Sequence, residues 1–333
     1  MKILIIRLSS IGDIVLTQPI VAALREQYPA AELHYVTKAA FFPILQSFGM
    51  PLHVHAYEEL QSVGSLITFG AAQHFDLVLD LHNKLNTFII KSLVRGKQTC
   101  TYTKKHTVRR RIVRHKTSET IVSTVNLYFT ALQKAGIDYD AAPPVLYPNQ
   151  ALQSAPLTTL KKLKMDPTPL IGLFPGAQHT TKQYPIAQLA EAVTLIAREL
   201  PCRFAVLGSA SEQHLAHALA QQTSVEIHDF CGSFNLAELI HAITHLDVII
   251  SNDSGPMHIA AALAKPQIAI FGATHPHLGF APLNASATIL QAPLPCRPCS
   301  LHGTETCPLN HFNCMHSITP KEVATATIRL LSR

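Results

Sequence analysis

The sequence predicts an α/β protein made of two doubly wound parallel-sheet domains. Three observations carry that prediction. Short, nearly continuous apolar runs alternate with amphipathic helical patterns, the alternation occurs twice, and a proline-rich stretch separates the two series. The runs cover residues 3–8, 33–36 and 77–81 in the first half, then 170–174, 204–207, 248–250 and 268–271 in the second. Strands buried on both faces lack the polar alternation of a half-exposed sheet, so such runs mark parallel strands covered by helices. Between the series, residues 138–169 hold six prolines and little periodicity, as befits a connection between domains. The expected division is residues 1–155, residues 165–318, and a C-terminal helix over 319–333. That helix opens Thr319-Pro320-Lys321-Glu322, a cap, a first-turn proline and an early glutamate. Its periodicity leaves open which domain it packs against.

Composition narrows the class. A chain of 333 residues with 47% hydrophobic and only 14% charged content is too apolar for disorder and large enough for two cores. A formal charge of +6, with 19 histidines counted neutral, favours anionic partners: phosphates, an acidic glycolipid or nucleic acid. The N-terminal apolar run meets Arg7 and Asp13 too early for a signal peptide. No apolar stretch approaches the roughly 20 residues of a spanning helix, so membrane contact is expected to be peripheral. Seven cysteines, an odd number without a signal sequence, point to the reducing cytoplasm.

The first run leads directly into Ser9-Ser10-Ile11-Gly12-Asp13 and a helical pattern, which puts Asp13 at a helix start. A carboxylate there can take a proton from a bound hydroxyl, or it can simply cap the helix. One glycine, Gly12, cannot make the three-glycine dinucleotide fingerprint, which disfavours nicotinamide and flavin chemistry. The corresponding loop of the second half, Phe174-Pro175-Gly176-Ala177, runs on to Thr180-Thr181-Lys182. Two hydroxyls and an ammonium in succession suit a diphosphate, Lys182 acting as a point charge on the leaving oxygens, although a solvated polar loop reads the same way. No Walker-type phosphate loop is present.

Asp253-Ser254-Gly255-Pro256-Met257-His258 joins a strand to an alanine-rich helix and offers a carboxylate, a hydroxyl, close backbone approach at Gly255 and an imidazole at His258. Such a histidine is also an ordinary partly buried core residue. Residues 104–116 concentrate basic side chains, Lys105, Arg109, Arg110 and Arg111 among them, which fits either a solvated face or a phosphorylated acceptor. Cys296, Cys299, Cys307 and Cys314 have a spacing compatible with a structural metal, yet not that of a zinc ribbon, and buried cysteines also serve as small apolar residues.

Taken together, Ser9-Ser10-Ile11-Gly12-Asp13, Pro175-Gly176-Ala177 with Lys182 ahead of Tyr184-Pro185, and Asp253 to His258 followed by Ala260-Ala261-Ala262-Leu263 resemble glycosyltransferase family 9, the lipopolysaccharide heptosyltransferases. Phe271-Gly272-Ala273-Thr274, Cys314-Met315 and the basic run after Tyr102 extend the resemblance over nearly the whole chain. It implies a GT-B fold, two Rossmann-like domains facing a central cleft, and an inverting reaction with neither a cofactor nor a catalytic metal. Asp13 is then the general base, and Lys182 assists the departing diphosphate. Thr180, Thr181, Lys182, Asp253, Ser254, Gly255, Met257 and His258 bind the donor, ADP-L-glycero-D-manno-heptose. Ser10, Gly12, Lys105, Arg109, Arg110 and Arg111 bind the acceptor, the phosphorylated lipid A–core at the inner face of the inner membrane. Tyr184 departs from the tryptophan common in the family, and His275 and His277 are further departures. A different nucleotide sugar or acceptor would keep the same frame. A nucleic-acid-binding module with a cysteine-bound zinc is the reading from another class, but it leaves Asp13 and Asp253 without a task, and no aromatics interleave the basic run.

Overall fold

Eleven strands in two separate sheets organise the computed structural model, which describes residues 1–332. The first sheet holds β1 (Lys2–Ile6), β2 (Glu32–Thr37), β3 (His53–Ala56), β4 (Leu77–Asp80) and β5 (Gln98–Thr101), in the order β3-β2-β1-β4-β5. The second holds β6 (Leu170–Phe174), β7 (Arg203–Val206), β8 (Ile227–Asp229), β9 (Val248–Asn252), β10 (Gln267–Phe271) and β11 (Ala287–Gln291), in the order β11-β10-β9-β6-β7-β8. Every pairing is parallel. Each sheet therefore starts in its middle and grows outward twice, leaving a switch point between β1 and β4 and another between β6 and β9. In such sheets ligands bind outside the carboxyl ends of the strands at the switch.

Burial follows from the strand period of two. Ile171 and Leu173, Phe204 and Val206, Val248 and Ile250, and Ile268 and Ile270 form i, i+2 pairs on one face of the second sheet, where they share a core with Val193, Ile196, Val323 and Leu330. The equivalent face of the first sheet joins Leu4, Ile6, Val36 and Val78 to Ile90 and Val94. The terminal helix Pro320–Leu331 belongs to the second core, and Tyr184 Oη donates to Ile318 O at 2.7 Å just before that helix begins.

Two features depart from the expected plan. The chain divides into one unit of residues 1–106 and 122–147 and another that takes residues 107–121 and those from 148 on, so the basic segment from residue 107, with Arg109, Arg110 and Arg111, is counted with the second unit although it lies within the first expected domain, while Lys105 stays with the first. The physical reason is Arg109, which is 6% exposed. Its guanidinium donates to Leu278 O at 3.1 and 3.3 Å and lies 4.9 Å from the Phe280 ring centroid. Ile121 N donates to His277 O at 2.9 Å, closing the same segment onto the unit. The second departure is that β3, β5, β8 and β11 stand where no apolar run marked a strand, and all four are sheet edges.

Candidate active site

At the first switch point the chain leaves β1 through Arg7, a cation only 7% exposed. Its Nη1 donates to Leu81 O at 2.7 Å, joining the ends of β1 and β4, and its Nε donates to Ser9 O at 2.7 Å. Nη2 lies 2.6 Å from Asp13 Oδ2. Burial alone lowers the Arg7 pKa, but Asp13, helped by Tyr128, Tyr102 and Tyr35, more than reverses this, so the guanidinium stays charged. Asp13 Oδ2 also accepts from Ser10 Oγ at 3.0 Å and Ser10 N at 3.4 Å, while Tyr128 Oη donates to Oδ1 at 3.3 Å. Asp13 thus caps the short helix Ile11–Val15 and at the same time is oriented by a buried cation and a buried phenol. Gly12 is buried beside it, and Ser10 is exposed.

Across the same switch, Asp80 is fully buried and accepts from His82 N at 3.0 Å and Asn83 N at 2.7 Å, shaping the loop after β4. His82 lies on that loop with Nδ1 buried and unpartnered. Burial first, and then the charge of Arg7, push its pKa down to about 3, so the ring is neutral.

The second switch point is built in the same manner. Asn252 ends β9, its Nδ2 donating to Pro175 O at 2.7 Å and its Oδ1 accepting from Tyr184 N at 3.0 Å, so the loop after β6 is fastened to β9. Asp253 follows, 5% exposed, with Lys182 Nζ at 3.0 Å and Thr274 Oγ1 donating to Oδ2 at 2.7 Å. Thr274 is placed by Arg297, a buried guanidinium that donates to the carbonyls of Phe271, Gly272, Ala292 and Thr274. Ser254 is the N-cap of the helix Gly255–Ala262, yet its hydroxyl makes no capping bond, and its Oγ is buried without a partner. Pro256 contributes no N–H, so Gly255 and Met257 supply the free backbone donors of the first turn. The Lys182 ammonium, an orphaned hydroxyl and a helix start meet around Asp253, an arrangement suited to an anion.

Several expected ligands have other employment. Thr181 is 3% exposed, its hydroxyl donating to Thr304 O at 2.6 Å and accepting from Thr304 N at 2.8 Å. Thr180 Oγ1 donates to Glu305 O. Both hydroxyls therefore latch the segment around Thr304 instead of standing ready for a diphosphate. The Met257 side chain is fully buried with Ala269 and Phe271, which leaves its N–H as what it can offer. His258 is 6% exposed. In the basic segment, Arg109 is buried as described, Arg111 pairs with Glu119, and Lys105 and Arg110 are exposed. No three of Cys296, Cys299, Cys307 and Cys314 bring their sulfurs within metal-sharing distance among the described residues. Burial raises the thiol pKa of Cys314 to about 11. Arg7, Tyr128, His82, Thr274 and Arg297 went unnoticed as site residues. For Arg7 the signal was there, since an arginine at the end of an apolar strand needs a partner.

Gly176 shows how tightly the β6 loop is packed. A Cβ there would lie 1.7 Å from Glu212 Oε1, and Glu212 is itself held by Ser209 N at 2.6 Å and Ser209 Oγ at 2.9 Å. Gly176→Ala must dislodge that cap, so we expect a loss of about 1–2 kcal/mol, read as a lowered Tm. An unchanged Tm would show that Glu212 moves aside freely.

Comparison with known proteins places this arrangement. The family profile described as glycosyltransferase family 9 (heptosyltransferase) matches residues 70–310. The lipooligosaccharide heptosyltransferase 2 of Haemophilus influenzae is 26% identical over 323 residues, covering 87% of this chain and 88% of the relative. A glycosyltransferase family 9 crystal structure from Veillonella parvula superposes with a TM-score of 0.78 at 19% identity, covering 99% of this chain and 97% of that one. The ADP-heptose LPS heptosyltransferase II of E. coli gives 0.73 at 20% identity, covering 100% and 99%. The two switch-point sheets are those of the GT-B fold, and the chain is a glycosyltransferase belonging to glycosyltransferase family 9.

Proposed function

We propose that this enzyme transfers a heptose from ADP-L-glycero-D-manno-heptose to the lipopolysaccharide inner core, with inversion at the anomeric carbon. The observation that carries the donor assignment is the second switch point, where Lys182, the unpartnered Ser254 hydroxyl and the first turn of the helix Gly255–Ala262 collect donors around Asp253. Lys182 neutralises the diphosphate as it leaves, the N–H groups of Gly255 and Met257 hold phosphate oxygens, and Asp253 accepts hydrogen bonds from sugar hydroxyls with His258 beside it. Heptose and ADP are supported by the relatives named above, which are heptosyltransferases.

At the first switch point Asp13 acts as general base. It takes the proton from the acceptor hydroxyl as that oxygen attacks the anomeric carbon, and the ADP diphosphate departs from the opposite face. Arg7 and Tyr128 orient the carboxylate, Ser10 and Gly12 line its approach, and the exposed Lys105 and Arg110 are available to acceptor phosphates. No helix among the described residues is long and apolar enough to cross a membrane. Peripheral attachment at the cytoplasmic face of the inner membrane is supported by the helix Leu85–Val94, whose Leu85, Phe88 and Ile89 are exposed beside the exposed Lys84. The test incubates the protein with a panel of nucleotide sugars and truncated core acceptors in anionic vesicles, reading product mass and cosedimentation. Heptosylated core from ADP-heptose is expected. Product from another sugar alone, or tight salt-sensitive nucleic-acid binding without transfer, would replace the reading.

A further inference from the structure

The first sheet carries a cluster remote from this chemistry. Glu32 and His34 are i, i+2 neighbours on β2, so they share one face, and His53 sits opposite His34 in the β2–β3 register, with His55 two residues further on. One oxygen of Glu32 and one nitrogen each of His34 and His53 all lie within 4.8 Å of one another. His34 is only 3% exposed, and its Nε2 has no hydrogen-bond partner, the Glu32 carboxylate lying 3.7 Å away. Its other nitrogen, Nδ1, is 2.9 Å from His55 Nε2.

We propose that Glu32, His34 and His53 form a binding site for a borderline divalent transition-metal ion such as Zn²⁺, with His55 as the outer partner that fixes the tautomer of His34. In either tautomer His34 Nε2 is left without a hydrogen bond, the Glu32 carboxylate being too distant at 3.7 Å; with Nδ1–H donating to His55, Nε2 turns a bare lone pair toward that carboxylate, and a cation between them satisfies both. Ligands about 2.1 Å from a tetrahedral zinc are about 3.4 Å apart, close to the spacing already present between His34 and Glu32. Two imidazoles and one carboxylate suit zinc, and an outward fourth position is left for water. A ligating histidine commonly donates its second N–H to a neighbour, as His34 would to His55.

The surroundings agree. Phe75 packs edge-on against His34 and Phe69 against His55, walling the cluster on its inner side. Lys2 Nζ lies 3.1 Å from Glu32 Oε2, the oxygen that also faces His34, so an ion seated there takes the place of the lysine, which keeps its bond to Gln73 Oε1. Glu32 and His53 open β2 and β3, at the end of the sheet opposite the Asp13 loop. The ion would therefore staple an edge strand to its neighbour and take no part in transfer.

The test uses tag-free full-length protein stripped with a chelator, since a histidine tag would bind the same ions. Titration with Zn²⁺ should give one ion per chain and raise the Tm. The Co²⁺ form should show ligand-field bands without thiolate-to-cobalt charge transfer. His53→Ala and Glu32→Gln alter exposed positions on the sheet edge and should fold; each should weaken Zn²⁺ binding by about tenfold or more and abolish the Tm shift. Three results would each overturn the site: no stoichiometric binding, wild-type affinity in both variants, or a cobalt spectrum dominated by thiolate, which would put the ion on the cysteines.

Discussion

Asp13→Ala is expected to lower kcat by about 10²–10⁴-fold, the range that general-base catalysis supplies, while ADP binding stays near that of the wild type. The split follows from position. Asp13 stands at the first switch point, whereas the groups proposed to bind the diphosphate stand at the second, so the substitution removes the proposed base without touching Lys182 or Asp253. A structural effect must be separated from the catalytic one, because Asp13 is the counter-ion of a buried arginine. Stripping the partner from a buried ion pair can cost about 3–5 kcal/mol, and Asp13 is 22% exposed, which lowers that figure. Asp13→Asn keeps the shape and one acceptor oxygen for Arg7, with its amide N–H turned toward the Tyr128 hydroxyl, but it loses the counter-charge and the proton acceptor, so it should lose less Tm than alanine and as much turnover. Turnover is read from product mass and ADP affinity by calorimetry. Wild-type turnover in the alanine variant would remove Asp13 from the reaction.

Lys182→Ala is the second large effect, with kcat/KM for the nucleotide sugar expected to fall by about 10²–10³-fold. The ammonium is 3.0 Å from Asp253, so an alternative is that it merely balances that carboxylate. The two roles diverge in a double-mutant cycle. The readout is affinity for ADP, which has no heptose for Asp253 to hold: if Lys182 serves the diphosphate, Lys182→Ala and its combination with Asp253→Asn both bind ADP weakly. If it serves only Asp253, the double variant regains wild-type ADP affinity. Lys182→Arg should rescue poorly, since a planar fork does not replace a compact point charge 3.0 Å from Asp253.

The central strands were legible because burial on both faces demands apolar runs, and β1, β2, β4, β6, β7, β9 and β10 all obey it. The four edges did not announce themselves. His53–Ala56 and Gln98–Thr101 need only one neighbour and tolerate polar side chains, so neither pattern nor composition set them apart from loops. Among site residues, Asp13, Lys182, Asp253 and Ser254 could be placed because a strand emptying into a helix start positions them by local geometry alone. The hydroxyls of Thr180 and Thr181 could not be assigned, because their carbonyl partners lie more than a hundred residues away in the chain. Arg109 misled for the same reason. A basic run reads as a surface, and only the carbonyl of Leu278 and the ring of Phe280 show that one of its arginines is an anchor.

The bridges from Arg7 to Leu81 and from Asn252 to Pro175 bear on how such an enzyme can change its substrate. Each crosses its own switch point, so spreading either crevice breaks a buried hydrogen bond and strands a polar group at about 1–3 kcal/mol. Crevice width is therefore a poor variable for natural variation or for engineering. The Thr304–Glu305 segment, held by two threonine hydroxyls and exposed at Glu305, can be relaid without disturbing either bridge. Libraries aimed at new donor sugars should leave Arg7 and Asn252 alone and concentrate on residues 300–306.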